Sequence, residues 1–230
     1  MHEPVLLSIL AGADTMTIMG KTLHTSHLFY TWIGMGVLFI MGLLVRMKIS
    51  MVPGQLQNVW ESMIGPLEDF ANENLGGSAG SKLFPLLGGL FFYILTLNLM
   101  GLLPTFDAPT ANINTNVGMA LLVFVLYQLL GFKVHGIGYL KHFCGPVKLM
   151  APFMFPIEVV NHCARPLSLT LRLFGNIKGE EMVLLVLLVL APIVSTLPLM
   201  FLFIFVKVLQ AFVFYLLTII YFQGSLSDAH

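Results

Sequence analysis

The sequence predicts an all-α protein that spans a membrane several times. Of its 230 residues, 57% are hydrophobic and only 10% are charged, whereas a soluble domain carries about 25% charged residues. The mean hydropathy is +0.91, and uncharged runs long enough to cross a bilayer as helices recur along the chain. The net charge is zero, so the composition gives no indication of nucleic-acid binding.

Five membrane helices and one amphipathic surface helix are predicted within a single membrane domain. Residues 1–26 are of mixed polarity and are placed outside the bilayer. The other segments are a first span at 28–48, a surface helix at 54–75, a two-span hairpin at 83–132 and a long two-helix hairpin at 155–222. The Gly/Ser-rich run 76–81 predicts a flexible connector. Pro192 and Pro198 predict the turn of the second hairpin.

The surface helix is predicted from its periodicity. Val59, Met63, Leu67 and Phe70 recur at helical spacing. The acidic residues fall mostly on other faces, namely Glu61, Glu68, Asp69 and Glu73. This pattern is typical of a helix that lies on a membrane surface rather than crossing it.

The distribution of Lys and Arg predicts the orientation of the chain in the membrane. Basic residues follow the first and third spans: Arg46, Lys48, Lys133, Lys141 and Lys148. The opposite loop, around Asp107, contains no Lys or Arg. Because positive residues favour the cytoplasmic side, the N-terminus is predicted outside and the C-terminus inside.

Arg172 is the most costly residue to bury in this chain. Its guanidinium keeps its proton at any physiological pH, and placing it near the middle of a bilayer costs about 3 kcal/mol. On a straight helix, with about 100° per residue, a stripe of polar side chains lies within about 80° of Arg172 over roughly 33 Å. The members of this stripe are Glu158, Asn161, Arg165, Ser168, Asn176 and Glu180. Glu181 falls at about 180°, on the opposite face.

The composition of this polar stripe limits its surroundings. A single Ser or Asn would fit a helix that is half-buried in a large protein or lies at an interface. Two arginines and two acids on one stripe cannot face lipid, so the stripe must face water-filled cavities, a partner, or both. Carboxylates and amides can hold or relay protons through bound water, whereas an arginine does not release its proton. The pattern therefore indicates two half-paths for protons, separated by a fixed positive charge.

The longest motif in the chain is the run Arg165-Pro-Leu-Ser-Leu-Thr-Leu-Arg-Leu-Phe-Gly-Asn176. Shorter motifs are Asn98-Leu-Met-Gly-Leu-Leu-Pro104, Asn114-x-x-x-Gly-Met-Ala-Leu121, Leu209-Gln-Ala-Phe-Val-Phe and Leu217-Thr-Ile-Ile-Tyr221. In these motifs, and over nearly everything after residue 26, the chain resembles subunit a of F-type ATP synthases. That family forms the stator half of a rotary membrane motor.

The resemblance implies a role for Arg172 and for the groups near it. Arg172 falls on the essential arginine of the family, which faces the carboxylate of each passing c-subunit. An opposite charge within about 4–6 Å favours an ionised carboxylate. Glu181 falls on the acid of the inlet channel, and Asn176 and Gln210 fall on polar positions that line the same inlet.

Three further residues fall on polar positions of the family. Asn98 lies on an earlier helix and is expected to face the inlet cavity. Glu158 and Ser168 are associated with the outlet path to the inside. The histidines at 135, 142 and 162 are dispersed along the chain, and we expect loop or structural roles for them rather than roles as ligands.

The chain departs from the family pattern at two positions. An acid that often follows Asn-Leu-Met in relatives is Gly101 here, and a histidine found in some relatives seven residues before Gln210 is Phe203. In place of this acid and this histidine, the chain has Glu180, where relatives commonly have a small residue, and Lys207, one turn before Gln210. We hypothesise that Glu180 and Lys207 take over the polar contacts of the missing acid–histidine pair. The alternative is that Lys207 extends to an interface by snorkelling.

The resemblance also implies the setting of the protein. It predicts a non-catalytic subunit that couples proton translocation to ring rotation and ATP synthesis in the bacterial cytoplasmic (inner) membrane. The implied partners are c-ring subunits, peripheral-stalk b subunits, the rest of the ATP synthase, lipid and protons. No cofactor or metal is expected, because no nucleotide-binding motif or metal-ligand spacing occurs, Cys144 and Cys163 included. The choice between H⁺ and Na⁺ stays open.

Two other classes of protein remain alternatives at the level of sequence. A secondary transporter would use Arg172 to bind an anionic substrate at a central site between repeats. A structural membrane scaffold would need no polar stripe at all.

Overall fold

A computed structural model describes residues 15–18, 21–24, 26–47, 54–102, 108–136, 151–190 and 196–226. Its helices are α1 (Ser26–Met47), α2 (Gln55–Leu75), α3 (Gly77–Met100), α4 (Ile113–His135), α5 (Ala151–Leu190) and α6 (Thr196–Leu226). A short 3₁₀ turn, Pro109–Ala111, precedes α4. Two four-residue strands, β1 (Thr15–Ile18) and β2 (Lys21–His24), pair antiparallel ahead of α1. The predicted all-α membrane fold is confirmed, with this one hairpin added in the segment placed outside the bilayer.

Four of the described helices, α1, α3, α4 and α6, are long and apolar enough to cross a membrane. Large apolar side chains stand exposed on them, with Trp32 70% and Phe201 79% accessible. So much exposed apolar surface fits contact with lipid rather than water. The remaining long helix, α5, has 40 residues and spans about 60 Å, more than the hydrocarbon thickness of about 30 Å. It carries the polar stripe, and the count of five spans stays a prediction.

The core of the fold lies between α3 and α6. The helix α3 packs against α2 and α6, while α4 packs against α5 and α6. Ile94 and Leu97 of α3 and Ile219 of α6 are fully buried there. The Phe91 ring meets the Tyr215 ring edge-on at 5.9 Å. The Tyr215 hydroxyl donates a hydrogen bond to the carbonyl of Leu67, so α6 also holds α2 in place.

Only part of the apolar surface of α2 packs within the protein. Leu67, Ala71 and Leu75 are buried against the core, whereas Val59 is 56% exposed and Met63 is 43% exposed. Exposed apolar side chains on this helix fit contact with lipid, and the amphipathic surface helix stays a prediction.

The Gly/Ser-rich run 76–81 is a helix junction, so the prediction of a flexible connector was wrong. Only Gly76 separates α2 from α3, with φ 80°, a conformation that glycine adopts without steric strain. A Cβ atom on Gly80 would lie 2.6 Å from the Cα atom of Asn72. The Ser81 hydroxyl donates to the Asn72 side chain at 3.0 Å. The small residues of this run therefore allow close packing of α2 on α3.

Helix starts explain several of the remaining turn residues. Asn112 caps α4 by accepting a hydrogen bond from the Asn114 amide at 2.9 Å, as side chains at this position commonly do. The buried Asn116 side chain donates to the Thr110 carbonyl at 2.8 Å. Pro198 lies in the first turn of α6, where a missing N–H breaks no helical hydrogen bond. The predicted turn residues Asp107 and Pro192 lie outside the described residues.

Gly80→Ala is expected to lower the free energy of unfolding by about 1–3 kcal/mol, because the added methyl group collides with the backbone of α2. Gly89→Ala on the same helix is the matched control, since a Cβ atom there has no neighbour within 4 Å. Both substitutions change helix propensity equally, so their difference isolates the collision. Thermal unfolding of the purified complex in detergent measures it, and equal midpoints for the two variants would contradict the close contact.

Candidate functional site

Polar side chains of α5 contact α6 in an antiparallel register. The Asn176 side-chain amide donates a hydrogen bond to the Gln210 side-chain oxygen. One turn further along α5, the Glu180 carboxylate lies 2.8 Å from the Lys207 ammonium, one turn earlier on α6. Two of the groups assigned to the inlet, Asn176 and Gln210, are therefore brought together. Glu180 and Lys207, the residues hypothesised to replace the missing pair of the family, are also in contact.

The Glu180–Lys207 ion pair is buried. The Glu180 side chain is 10% exposed and the Lys207 side chain is 6% exposed. This burial argues against snorkelling of Lys207 to an interface. It also means that the charges depend on each other, because an unpaired charge in an apolar interior is strongly destabilising.

Arg172 has no comparable partner. Within the described part of the chain, no carboxylate oxygen lies within 4.0 Å of its guanidinium. The register that pairs Asn176 with Gln210 places Phe214, which is only 1% exposed, at the level of Arg172 on α6. The partly exposed Arg172 lies between two faces of α5: Leu173 is fully buried, whereas Leu171 is 50% exposed. Among the described residues, its charge is therefore left without an anion.

A second polar group forms near the start of α5. The His162 Nδ1 atom lies 3.1 Å from the Tyr127 hydroxyl on α4, and its Nε2 atom lies 3.5 Å from the Glu158 carboxylate. The Arg165 guanidinium lies 5.7 Å from the centre of the Tyr127 ring and 5.2 Å from that of the Tyr221 ring. His162 was expected in a loop or structural role, although it follows Glu158 by one helical turn in the sequence.

The other predicted residues are more scattered. Glu181 pairs with Lys178 at 2.6 Å with its side chain 44% exposed, away from the stripe, as the straight-helix geometry predicts. Ser168 is exposed and makes no hydrogen bond among the described residues. Asn98 is fully buried, and neither polar atom of its side chain is hydrogen-bonded within the described chain. Such buried polar atoms are commonly satisfied by water.

An open groove of about 1090 Å³ lies between α1, α3 and α4. Its lining is largely apolar and includes Trp32, Leu86 and Met119, and no charged side chain of the described residues lines it. Because the described charged side chains lie elsewhere, we place the candidate functional site at α5 and α6 instead.

The fold and the α5–α6 contacts define a multi-spanning membrane protein with polar and charged groups held inside a helix hairpin. The sequence model of the family described as ATP synthase A chain matches residues 28–223, and the chain belongs to this family of ATP synthase a subunits. ATP synthase subunit a of Nitratidesulfovibrio vulgaris (strain DP4) is 56% identical over 228 residues, covering 99% of this chain and 97% of the relative.

Other bacterial relatives match over the same length. ATP synthase subunit a of Oleidesulfovibrio alaskensis is 51% identical over 99% of this chain and 97% of its own. ATP synthase subunit a 1 of Pelobacter propionicus is 48% identical over 99% of this chain and 93% of its own. The protein is therefore a membrane-embedded, non-catalytic component of an ATP synthase, and the alternatives of a separate transporter or scaffold are superseded.

Removing one member of the Glu180–Lys207 pair is expected to lower the free energy of unfolding by about 3–5 kcal/mol, because the partner charge stays buried. Glu180→Gln and Lys207→Met are the single variants, and the exchange Glu180→Lys with Lys207→Glu should recover most of the loss. Lys178→Ala, which breaks an exposed pair, should cost about 1 kcal/mol or less. Unfolding in detergent measures all four, and an exchanged pair no more stable than the single variants would refute the buried ion pair.

Proposed function

We propose that the chain forms two proton half-paths beside a ring of c-subunits, and that Arg172 separates them. The observation that supports this most strongly is that the Arg172 guanidinium, at the edge of an exposed apolar face, has no carboxylate partner among the described residues. A cation in such surroundings is costly, and the cost falls if a partner brings a carboxylate to it. A ring of identical subunits, each with one carboxyl group, supplies such a partner repeatedly.

The inlet half-path is assigned to the groups on the C-terminal side of Arg172. Glu181 receives the proton at a partly exposed position, and the Asn176–Gln210 pair continues the path toward Arg172. Asn98 offers buried polar atoms to water on α3. Glu180 and Lys207 take over the contacts of the missing family pair, since their ion pair holds the two helices together at this point.

The outlet half-path is assigned to Glu158 and Ser168, on the N-terminal side of Arg172. Glu158 is partly exposed and carries a carboxylate that can release a proton to water. Ser168 lies one turn before Arg172 and is exposed, so it can hydrogen-bond to water near the arginine. Arg172 does not release its proton, and it therefore prevents direct passage between the two halves.

The energetics follow from the charge of the ring carboxyl. When protonated it is neutral and can pass through lipid at low cost. Close to Arg172 the ionised form is favoured, so the proton leaves toward the outlet. The membrane potential contributes about 2.3 kcal/mol per charge for each 100 mV. Net transfer of protons then turns the ring in one direction and drives ATP synthesis.

The setting proposed for the protein is the bacterial inner membrane, with the N-terminus outside and the C-terminus in the cytoplasm. The last turns of α1 and α4 both carry basic residues, Arg46 in the first and Lys133 in the second. Positive charge at both ends fits a shared cytoplasmic side. The proposed partners are the c-ring, the peripheral-stalk b subunits and the remaining subunits of the ATP synthase.

Arg172→Ala is expected to abolish ATP synthesis in membrane vesicles energised by a proton gradient, because no charge then enforces deprotonation of the ring carboxyl. Lys133→Ala, which removes an exposed cation at the end of α4, is the control and should leave synthesis unchanged. Synthesis at the normal rate in Arg172→Ala vesicles would sink the proposal.

A second arm of this test locates the ring. In a background with Cys144 and Cys163 replaced by Ser, a cysteine at position 172 or at exposed Ser168 should cross-link to a cysteine beside the ring carboxyl. A cysteine at Thr170, which is 3% exposed, should not. Equal cross-linking from all three positions would show that the ring does not lie specifically against the face of α5 that carries positions 168 and 172.

Separate replacements test the roles of the two adjacent acids. Glu181→Gln should stop ATP-driven proton pumping if it receives the incoming proton, and Glu180→Gln should slow it if the Glu180–Lys207 pair has replaced the missing family pair. The initial rate of acidification of inverted vesicles measures both. If only Glu181→Gln affects pumping, the replacement of the missing pair by Glu180 and Lys207 is wrong.

A further inference from the structure

A group of side chains near the start of α5 passes from the surface into the interior. We call Glu158, His162, Tyr127 and Gln128 the His162 cluster. The side chain of Glu158 is 28% exposed and that of His162 is 5% exposed, while Tyr127 is 1% exposed. The cluster therefore leads from an accessible carboxylate, through an imidazole, to a buried hydroxyl.

The two ring nitrogens of His162 face different groups. Nδ1 lies 3.1 Å from the Tyr127 hydroxyl and 3.5 Å from the Gln128 side-chain nitrogen. Nε2 lies 3.5 Å from the Glu158 carboxylate. An imidazole placed between a hydroxyl and a carboxylate can take a proton on one nitrogen and give one up from the other.

Charges of opposite sign lie on either side of the ring along α5. Glu158 lies one turn before His162, and Arg165 follows it by three residues. From α4, the ring faces Tyr127 and Gln128, and from α6, Tyr221 contributes the second aromatic ring that the Arg165 guanidinium contacts. A cation held on aromatic faces does not exchange its proton. Arg165 therefore takes no part in proton exchange on the interior side of the cluster. His162 is the group in the cluster that can be protonated.

We propose that His162 relays protons between the interior and Glu158, an assignment that rests on the proton-conducting function proposed above. The neutral ring begins with its proton on Nε2. Nδ1 accepts a proton from water on the Tyr127 side, or from the Tyr127 hydroxyl as this hydroxyl takes up another proton from water, and the imidazolium then gives its Nε2 proton to the Glu158 carboxylate. Because 3.5 Å is long for a direct hydrogen bond, this transfer uses one water or a small rotation of Glu158. Glu158 releases the proton to water. The neutral ring now carries its proton on Nδ1, and rotation of the ring turns this nitrogen toward Glu158 before the next proton is accepted, so each cycle moves one proton in one direction.

His162→Ala in the complete ATP synthase tests the relay. The measurement is the rate of ATP hydrolysis coupled to ring rotation, with an uncoupler present so that added imidazole cannot act through the proton gradient. The variant should hydrolyse ATP about tenfold more slowly than the unmodified complex, since a positioned acid–base group contributes at least that much to proton transfer. Millimolar imidazole should restore the rate, because it can occupy the space left by the ring. A slow variant that imidazole does not restore would assign His162 a structural role and overturn the relay.

Three further variants complete the test. His162→Gln keeps a polar side chain of similar length but cannot be protonated, so it should be slow and insensitive to imidazole; a normal rate overturns the relay even if His162→Ala fails to assemble. Tyr127→Phe keeps the ring under Arg165 and should slow the rate by removing the hydroxyl. His135→Ala, two turns further along α4, is the control. Its rate of ATP hydrolysis should equal that of the unmodified complex, with or without imidazole. Normal rates in the His162 variants, together with an inactive Arg172→Ala, would overturn the relay alone and leave the proposed function standing.

Discussion

The antiparallel register between α5 and α6 is the constraint on which the candidate site depends. It is fixed at two neighbouring points, by the buried Glu180–Lys207 ion pair and by the Asn176–Gln210 hydrogen bond. A shift of one residue would turn a side chain by about 100° around its helix and break both contacts. The same register sets the level of Phe214 beside Arg172, so the position of the unpaired charge follows from pairs formed one and two turns away.

The cations of α5 differ in how their charge is compensated. Lys178 has the Glu181 carboxylate beside it, and Arg165 rests against the rings of Tyr127 and Tyr221, contacts of a kind worth about 0.5–2 kcal/mol. Arg172 has neither form of compensation within the described residues. A helix that satisfies two cations and leaves the third unsatisfied has a structure suited to an external anion at that third position.

The sequence predicted those features that depend on one helix at a time. The apolar runs predicted the membrane helices, and a spacing of about 100° per residue placed Glu180 on the same stripe as Arg172 and Glu181 on the other face. Helical periodicity could not predict the partners on other helices, and only the resemblance associated Glu180 with Lys207. Lys207 follows Glu180 by 27 residues and Tyr127 precedes His162 by 35, and no local periodicity relates positions so far apart.

The prediction of a flexible connector at 76–81 was wrong for a physical reason. A run rich in Gly and Ser has little intrinsic preference for a helix, so its composition indicated a flexible connector. The structure uses the same small side chains for close packing of α2 on α3, and tertiary contact outweighs propensity there.

The single-residue junction at Gly76 has a consequence for how this chain can change in evolution. Because α2 and α3 are joined by one residue and meet again at Gly80 and Asn72, adding or deleting a residue there would rotate one helix against the other by about 100°. Such a change would also separate Leu67 from the Tyr215 hydroxyl. Selection should therefore remove insertions and deletions at this junction, and homologous chains should differ in length at other positions.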